Sequence, residues 1–231
     1  MPSLPIHLGI VDDHTLFRKT LKAYLSDQKN ITVAFQAERM SDLHSKLKET
    51  SIDILLMDVF LPDMNGSEAI ISIRKEYPDL KVLALSMSTD MRHISDLLDA
   101  GIHGYISKAD EPESLLQAII STSEGRIYRN KLFTEGLYWN KQNSIKYYPD
   151  ERQVVLSDRE KKIMQLIWEE KSNKEIADTL FIGTRSVEKI RQDLKEKVGV
   201  KSTVGLLKYA LAKKIVSISF QSPAASQVYI S

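Results

Sequence analysis

A chain of 231 residues, 42% hydrophobic and 27% charged, has the composition of an ordinary globular protein and is long enough for one large domain or two modest ones. It contains no cysteine, which excludes disulfides, thiolate zinc centres and a cysteine nucleophile and leaves carboxylates and five histidines as the strong metal ligands. The net charge of +1 hides a gradient, with −7 on residues 1–124, +3 on 125–155 and +5 on 156–231.

That asymmetry points to a C-terminal part that meets a polyanion, chance scatter of surface charge being the alternative. No apolar run reaches the roughly eighteen residues of a membrane span. The start "MPSLPIHLGIVDD" has no basic segment followed by an apolar stretch and a small-residue cleavage site. A cytoplasmic protein without membrane contact is expected.

In chain order, short apolar runs at 6–12, 31–37, 52–58, 81–86 and 103–107 read as strands. Their nearly continuous apolar character fits strands covered on both faces. Between them lie helical patterns marked by Leu16, Leu21 and Leu25, by Leu43 and Leu47 after a Ser41 cap, by Ala69, Ile70 and Ile73, and by Ile94, Leu97 and Leu98. Pro112 suits the first turn of a fifth helix carrying Leu115, Leu116, Ile119 and Ile120. Strands alternating with helices predict a parallel sheet with helices on both faces, because parallel strands need crossovers.

This α/β domain is assigned to residues 6–124 and a polar, aromatic-dotted linker with room for a short helix to 125–155. Residues 156–216 carry four helix starts: Ser157 with Glu160 as a capping box, then Asn173, Thr184, and Ser202 or Thr203. Residues 217–231, small and polar, read as a disordered tail.

The polar residues that end the apolar strands are Asp12 and Asp13, Asp58, Ser86 and Lys108. In an open parallel sheet they fall on one rim, where ligands bind. A paired aspartate alone is commonly a turn or a helix cap. Three carboxylates on one rim repel one another unless a cation joins them, and Mg2+ suits an all-oxygen set. Asp58 can then attack a phosphoryl group and hold it as an aspartyl-phosphate, while Lys108 neutralises charge and Ser86 hydrogen-bonds an oxygen.

"VDDH" (11–14), "LLMDVFLPDMNG" (55–66), "LALSM" (83–87) and "GYISK" (104–108) resemble the signature blocks of bacterial response-regulator receiver domains. The resemblance implies a flavodoxin-like (βα)5 fold with strand order 2-1-3-4-5. It makes Asp58 the phosphoacceptor, Asp13 a direct Mg2+ ligand, Asp12 a ligand through water, and the backbone carbonyl of Phe60 a further ligand. Ser86 becomes the switch hydroxyl, Tyr105 the rotating aromatic and Lys108 the phosphate-pairing lysine, with Pro62 and Gly66 shaping the loop after Asp58. Ala109 stands where many receivers have proline, which removes the usual reason for a cis peptide there.

The C-terminal helices, with "SDRE", "SNKEIADTLFI", "SVEKIR" and "KVGVKS", resemble the LuxR-type helix-turn-helix domain. By that resemblance the third helix enters the major groove. Lys189 and Gln192 are then candidates for base edges, Glu188 for cytosine, and Arg185, Arg191 and Lys201 for phosphates, with Lys195 a further DNA-binding candidate on the outward face. A solvated helix face is the competing account of these charges, most seriously for Glu188 and Gln192. Glu170 stands where relatives commonly have glycine and Ile190 where they have histidine; Trp168 is most simply core.

The two resemblances imply a NarL/FixJ-type response regulator taking a phosphoryl group from a histidine kinase and binding promoter DNA, as a homodimer when active. It would be no turnover enzyme, its only reactions being self-phosphorylation and slow autodephosphorylation at Asp58. A regulator indifferent to phosphorylation is one alternative. A phosphatase is another, disfavoured because Phe60 occupies the position two beyond Asp58 where such enzymes need an acid.

Overall fold

The computed structural model describes residues 5–143 and 154–217. The first unit runs β1 (Ile6–Val11), α1 (Thr15–Ser26), β2 (Ile31–Ala37), α2 (Met40–Glu49), β3 (Ile54–Asp58), a small hairpin β4 (Phe60–Leu61) and β5 (Met64–Asn65), α3 (Gly66–Glu76), β6 (Lys81–Ser86), α4 (Met91–Ala100), β7 (Gly104–Ser107) and α5 (Pro112–Ser123). The main sheet has the order β2-β1-β3-β6-β7, all parallel. Counting its five strands alone, this is the expected 2-1-3-4-5 order. The hairpin between the third and fourth strands is the addition.

The central strands are apolar on both faces because each face is covered. Leu8, Ile10, Leu56, Leu83 and Leu85 pack with Leu21, Leu25, Leu115 and Ile119 of α1 and α5. Leu55, Met57, Val82 and Ala84 pack with α2, α3 and α4 on the other side. Leu16 does not join either core and stands exposed at the start of α1, and Ile120 is also exposed.

After the receiver unit come α6 (Lys131–Asn143), α7 (Asp158–Trp168), α8 (Asn173–Leu180), α9 (Thr184–Val198) and α10 (Thr203–Ala212). Helix α6 lies in the stretch read as a linker. Its Phe133 and Leu137 are buried in the same cluster as Ile94 and Leu98 of α4 and Leu206, Leu207 and Ala210 of α10. One apolar core therefore runs from the receiver through α6 into the C-terminal helices. Residues 144–153 of the linker and the tail from 218 onward lie outside the described residues.

Three caps differ from the sequence reading. Helix α2 starts at Met40 behind Arg39, with no side-chain cap, so Ser41 sits inside the helix. The α8 cap is Ser172, whose hydroxyl accepts from the Glu175 N–H while the Glu175 carboxylate accepts from the Ser172 N–H; this reciprocal pair outcompetes Asn173. Gly183 rather than Thr184 precedes α9. Ser157 with Glu160 and Ser202 cap α7 and α10 as expected. Glu170 ends the α7 region with φ 59, the left-handed conformation that glycine takes most readily. Its carboxylate accepts a hydrogen bond from Arg129 Nε at 3.0 Å, an anchor that glycine could not supply. No cis peptide occurs among the described residues, Lys108–Ala109 included.

Candidate functional site

Each acid on the rim is placed by a strand end. Asp12 follows β1 and is fully buried; Asp58 closes β3 and is 2% exposed. The backbone N–H of His14 donates to Asp12 Oδ1 at 2.8 Å, and that of Phe60 to Asp58 Oδ1 at 3.0 Å, fixing both carboxylates. Gly66 permits the tight loop after Asp58, since a Cβ there would lie 2.5 Å from the Val59 carbonyl oxygen.

Lys108 reaches in from the end of β7, its Nζ 2.6 Å from Asp58 Oδ2 and 2.8 Å from Asp12 Oδ2. Burial alone would lower its pKa, but the two carboxylates outweigh burial and hold the ammonium above its usual range. Phe17 of α1 lies beneath it, the ring centre 4.8 Å from Nζ. Ser86 is buried and its hydroxyl accepts from the Ser88 N–H at 3.0 Å. Tyr105 is also buried; its hydroxyl donates to the Ser88 carbonyl, and burial pushes its pKa up.

Asp12, Asp13, His14 and Asp58 each offer one donor atom, all within 4.8 Å of one another. The buried Asp12 Oδ2 has only the Lys108 ammonium beside it, at 2.8 Å. Three carboxylates against one lysine leave excess negative charge in a buried site. An oxygen-ligated divalent cation fits that deficit, so these residues suit Mg2+.

The C-terminal candidates divide sharply. Arg185, Glu188, Lys189, Gln192 and Lys201 are exposed. Gln192 Nε2 donates to Glu196 Oε1 at 2.7 Å within α9, and Glu188 meets Asn173 Nδ2 at 3.5 Å. Arg191 turns inward and donates to the Gly125 carbonyl and Thr203 Oγ1, each at 3.2 Å, and to Asn173 Oδ1. Burial pushes its pKa down to about 10, despite the opposing charge of Glu188. Lys195 is half-buried, its pKa lowered by burial and by Arg74 of α3 and Arg191. The helix expected to meet DNA thus has two of its cations against the receiver.

Further links join the units. Arg126 donates to Glu175 at 3.0 Å, Lys208 to Asp99, and the Arg129 guanidinium lies 4.0 Å over the Trp168 ring. Trp168 is accordingly a partly buried docking surface rather than simple core. None of these arginines carried a role in the sequence reading, since an interdomain partner leaves no local periodicity. His14 stands within "VDDH", and its adjacency to the two acids is its signal in the sequence.

His103 sits at the same junction, its Nδ1 accepting from the Val82 N–H at 3.1 Å. Burial, followed by Arg74, Lys81, Arg191 and Lys195, lowers its pKa to about 3. The unfolded chain takes up a proton below about pH 6.5 that the folded imidazole refuses. Stability is therefore full above that pH and falls as pH drops toward about 3, by up to about 1.4 kcal/mol per unit. Denaturant midpoints measured across this window will show a shallower pH slope in His103→Asn, whose amide oxygen can still accept from Val82.

A five-stranded parallel sheet with an acidic rim, coupled to a helix-turn-helix module, defines the class: a two-domain regulator with a receiver and a DNA-binding fold. Residues 8–120 match the response regulator receiver domain, and residues 154–210 match the bacterial regulatory proteins of the luxR family. The oxygen regulatory protein NreC of Staphylococcus aureus is 32% identical over 211 residues, covering 90% of this chain and 97% of that protein. The Salmonella typhimurium response regulator RcsB shares the fold, with TM-score 0.57 at 23% identity over 90% of this chain and 98% of that one. A complex of RcsB with DNA gives 0.55 at 21% identity over the same shares. The chain belongs to the two-component response regulators of the NarL/FixJ type.

Among the described residues no helix is long and apolar enough to cross a membrane.

Proposed function

We propose that this chain is a cytoplasmic transcription factor whose DNA binding is controlled by transfer of a phosphoryl group from a sensor histidine kinase to Asp58. The observation that carries the reading is the convergence of Asp12, Asp13, Asp58, Ser86 and Lys108 on one rim, with Lys108 Nζ 2.6 Å from the acceptor carboxylate. Asp58 supplies the attacking oxygen. Asp12, Asp13, Asp58 and the Phe60 carbonyl hold Mg2+, which when bound offsets charge on the incoming phosphoryl group. Lys108 pairs with the transferred group and Ser86 turns its hydroxyl to it. The Asp58 phosphate is lost slowly by hydrolysis, and no substrate is turned over.

That turn withdraws the hydroxyl from the Ser88 N–H and disturbs the Ser88 carbonyl that Tyr105 holds. Tyr105 is tied onward, its carbonyl accepting from Asn130 Nδ2 at 2.8 Å just before α6. A shift at Tyr105 therefore reaches α6, and through it the contacts that keep Arg191 against Gly125. Released, α9 presents Lys189 and Gln192 to base edges, Glu188 to cytosine, and Arg185, Arg191, Lys195 and Lys201 to phosphates. RcsB has been solved with DNA and as dimers on DNA, and a homodimer reading two half-sites is the matching arrangement here.

Footprinting of the full chain on DNA selected from a random pool tests this. With a small-molecule phosphoryl donor and Mg2+, two half-sites become protected at a protein concentration at least about tenfold lower than without. Equal protection in both conditions sinks phosphorylation control and leaves the receiver as a docking or dimerisation module.

A further inference from the structure

We propose that His14 is an additional, nitrogen ligand of the receiver's cation site, giving this rim a preference for Mn2+ and later transition metals over Mg2+. The inference rests on the divalent-cation reading of the acid rim and extends it to a residue that reading does not use. His14 Nδ1 lies 2.8 Å from Asp13 Oδ1, 3.4 Å from Asp12 Oδ1 and 3.9 Å from Asp58 Oδ2. An octahedron with bonds of about 2.1 Å has edges of about 3.0 Å and diagonals of about 4.2 Å. The first separation matches an edge and the other two lie between an edge and a diagonal; the four donor atoms spread over no more than 4.8 Å, so one ion reaches all four side chains once they draw inward.

The surroundings agree. The His14 backbone is pinned by its N–H on Asp12, directly before α1, while its side chain is 70% exposed. Asp13 Oδ1 faces the imidazole at 2.8 Å, and the buried Asp12 Oδ2 is met only by the Lys108 ammonium at 2.8 Å. Mg2+ favours an all-oxygen shell and leaves the imidazole unused; Mn2+ and the later divalent ions accept nitrogen readily and gain from it. His14 therefore separates the two kinds of cation, leaving the three acids to hold either one.

Mn2+ added to the untagged full-length protein in imidazole-free buffer tests the assignment. Loss of the free-ion electron paramagnetic resonance signal reports binding to the acids. Pulsed measurement of the bound ion reports any directly coordinated nitrogen-14. The expected result is stoichiometric binding with a nitrogen coupling that vanishes in His14→Gln and persists in His93→Asn. In His14→Gln the Mn2+ dissociation constant rises at least about tenfold, while the Mg2+ constant, measured by competition, moves less than about threefold. Mn2+ binding without nitrogen coupling, or coupling retained in His14→Gln, overturns the role of His14 and leaves the acid site standing. Absence of Mn2+ binding overturns both.

Discussion

Asp58→Asn abolishes phosphoryl incorporation from a small-molecule donor and Mg2+, to at least about a hundredfold below the native chain. The substitution keeps the shape of the side chain and replaces the attacking carboxylate oxygen by an amide, a far weaker nucleophile. Folding should survive, since the amide oxygen can still accept from the Phe60 N–H, and Lys108, which then faces the amide NH2, retains Asp12 at 2.8 Å. Radiolabel uptake and intact-mass measurement check the result, with thermal denaturation confirming that the variant folds. Undiminished incorporation removes Asp58 from the role of acceptor and points to another group on the rim. Lys108 can be examined in the same assay: Lys108→Ala leaves Asp12 and Asp58 buried without a counter-charge, so it loses stability as well as uptake.

The receiver was legible because its physics is local. Strands such as Ile54–Asp58 are buried at every residue, so their apolar runs need no alternation. The polar residues that interrupt them have few structural reasons to be there. The acidic rim follows from strand ends and topology. Helix α6 was legible only as room for a short helix in the linker, for a contrary reason. Its sequence KLFTEGLYWNKQN mixes aromatics with polar groups and places Gly136 mid-helix, where glycine usually argues against a helix. What sustains it is tertiary: Phe133 and Leu137 are buried against the receiver. Arg191 teaches the same lesson. On a helix face it reads as a phosphate contact, and only the tertiary structure reveals it bound to Gly125 beyond α5 and to Thr203 of its own domain. The caps failed by one or two residues because Ser172 and Asn173 are chemically interchangeable there until Glu175 reaches back to Ser172.

Gly136→Leu is expected to open the molecule without phosphorylation. Helix α6 presses on α4 at this glycine, where a Cβ would lie 2.8 Å from Ile94 Cγ2 and 3.0 Å from Leu98 Cδ1. Both neighbours are fully buried and cannot retreat far. Replacing a mid-helix glycine gains roughly 0.5–1 kcal/mol of helix propensity. Overpacking by a whole leucine costs roughly 1–3 kcal/mol, so the steric term wins and the cost falls on the contact between α6 and α4. Relief comes by lifting α6 from the receiver. The other ties across the junction, Arg126–Glu175, Arg129–Glu170 and Lys208–Asp99, are partly exposed ion pairs worth little each. Arg191 is then freed from Gly125. A net shift of up to about 2.5 kcal/mol corresponds to up to about seventyfold tighter DNA binding by the unphosphorylated protein, measured by titration of selected DNA, together with a larger radius of gyration in solution scattering. Gly136→Ala, which adds the Cβ alone, should give a smaller effect because propensity then offsets most of the clash. If Gly136→Leu folds with native stability, stays compact and binds DNA no better, α6 is not the element that holds α9 back, and control must run through another face of the receiver.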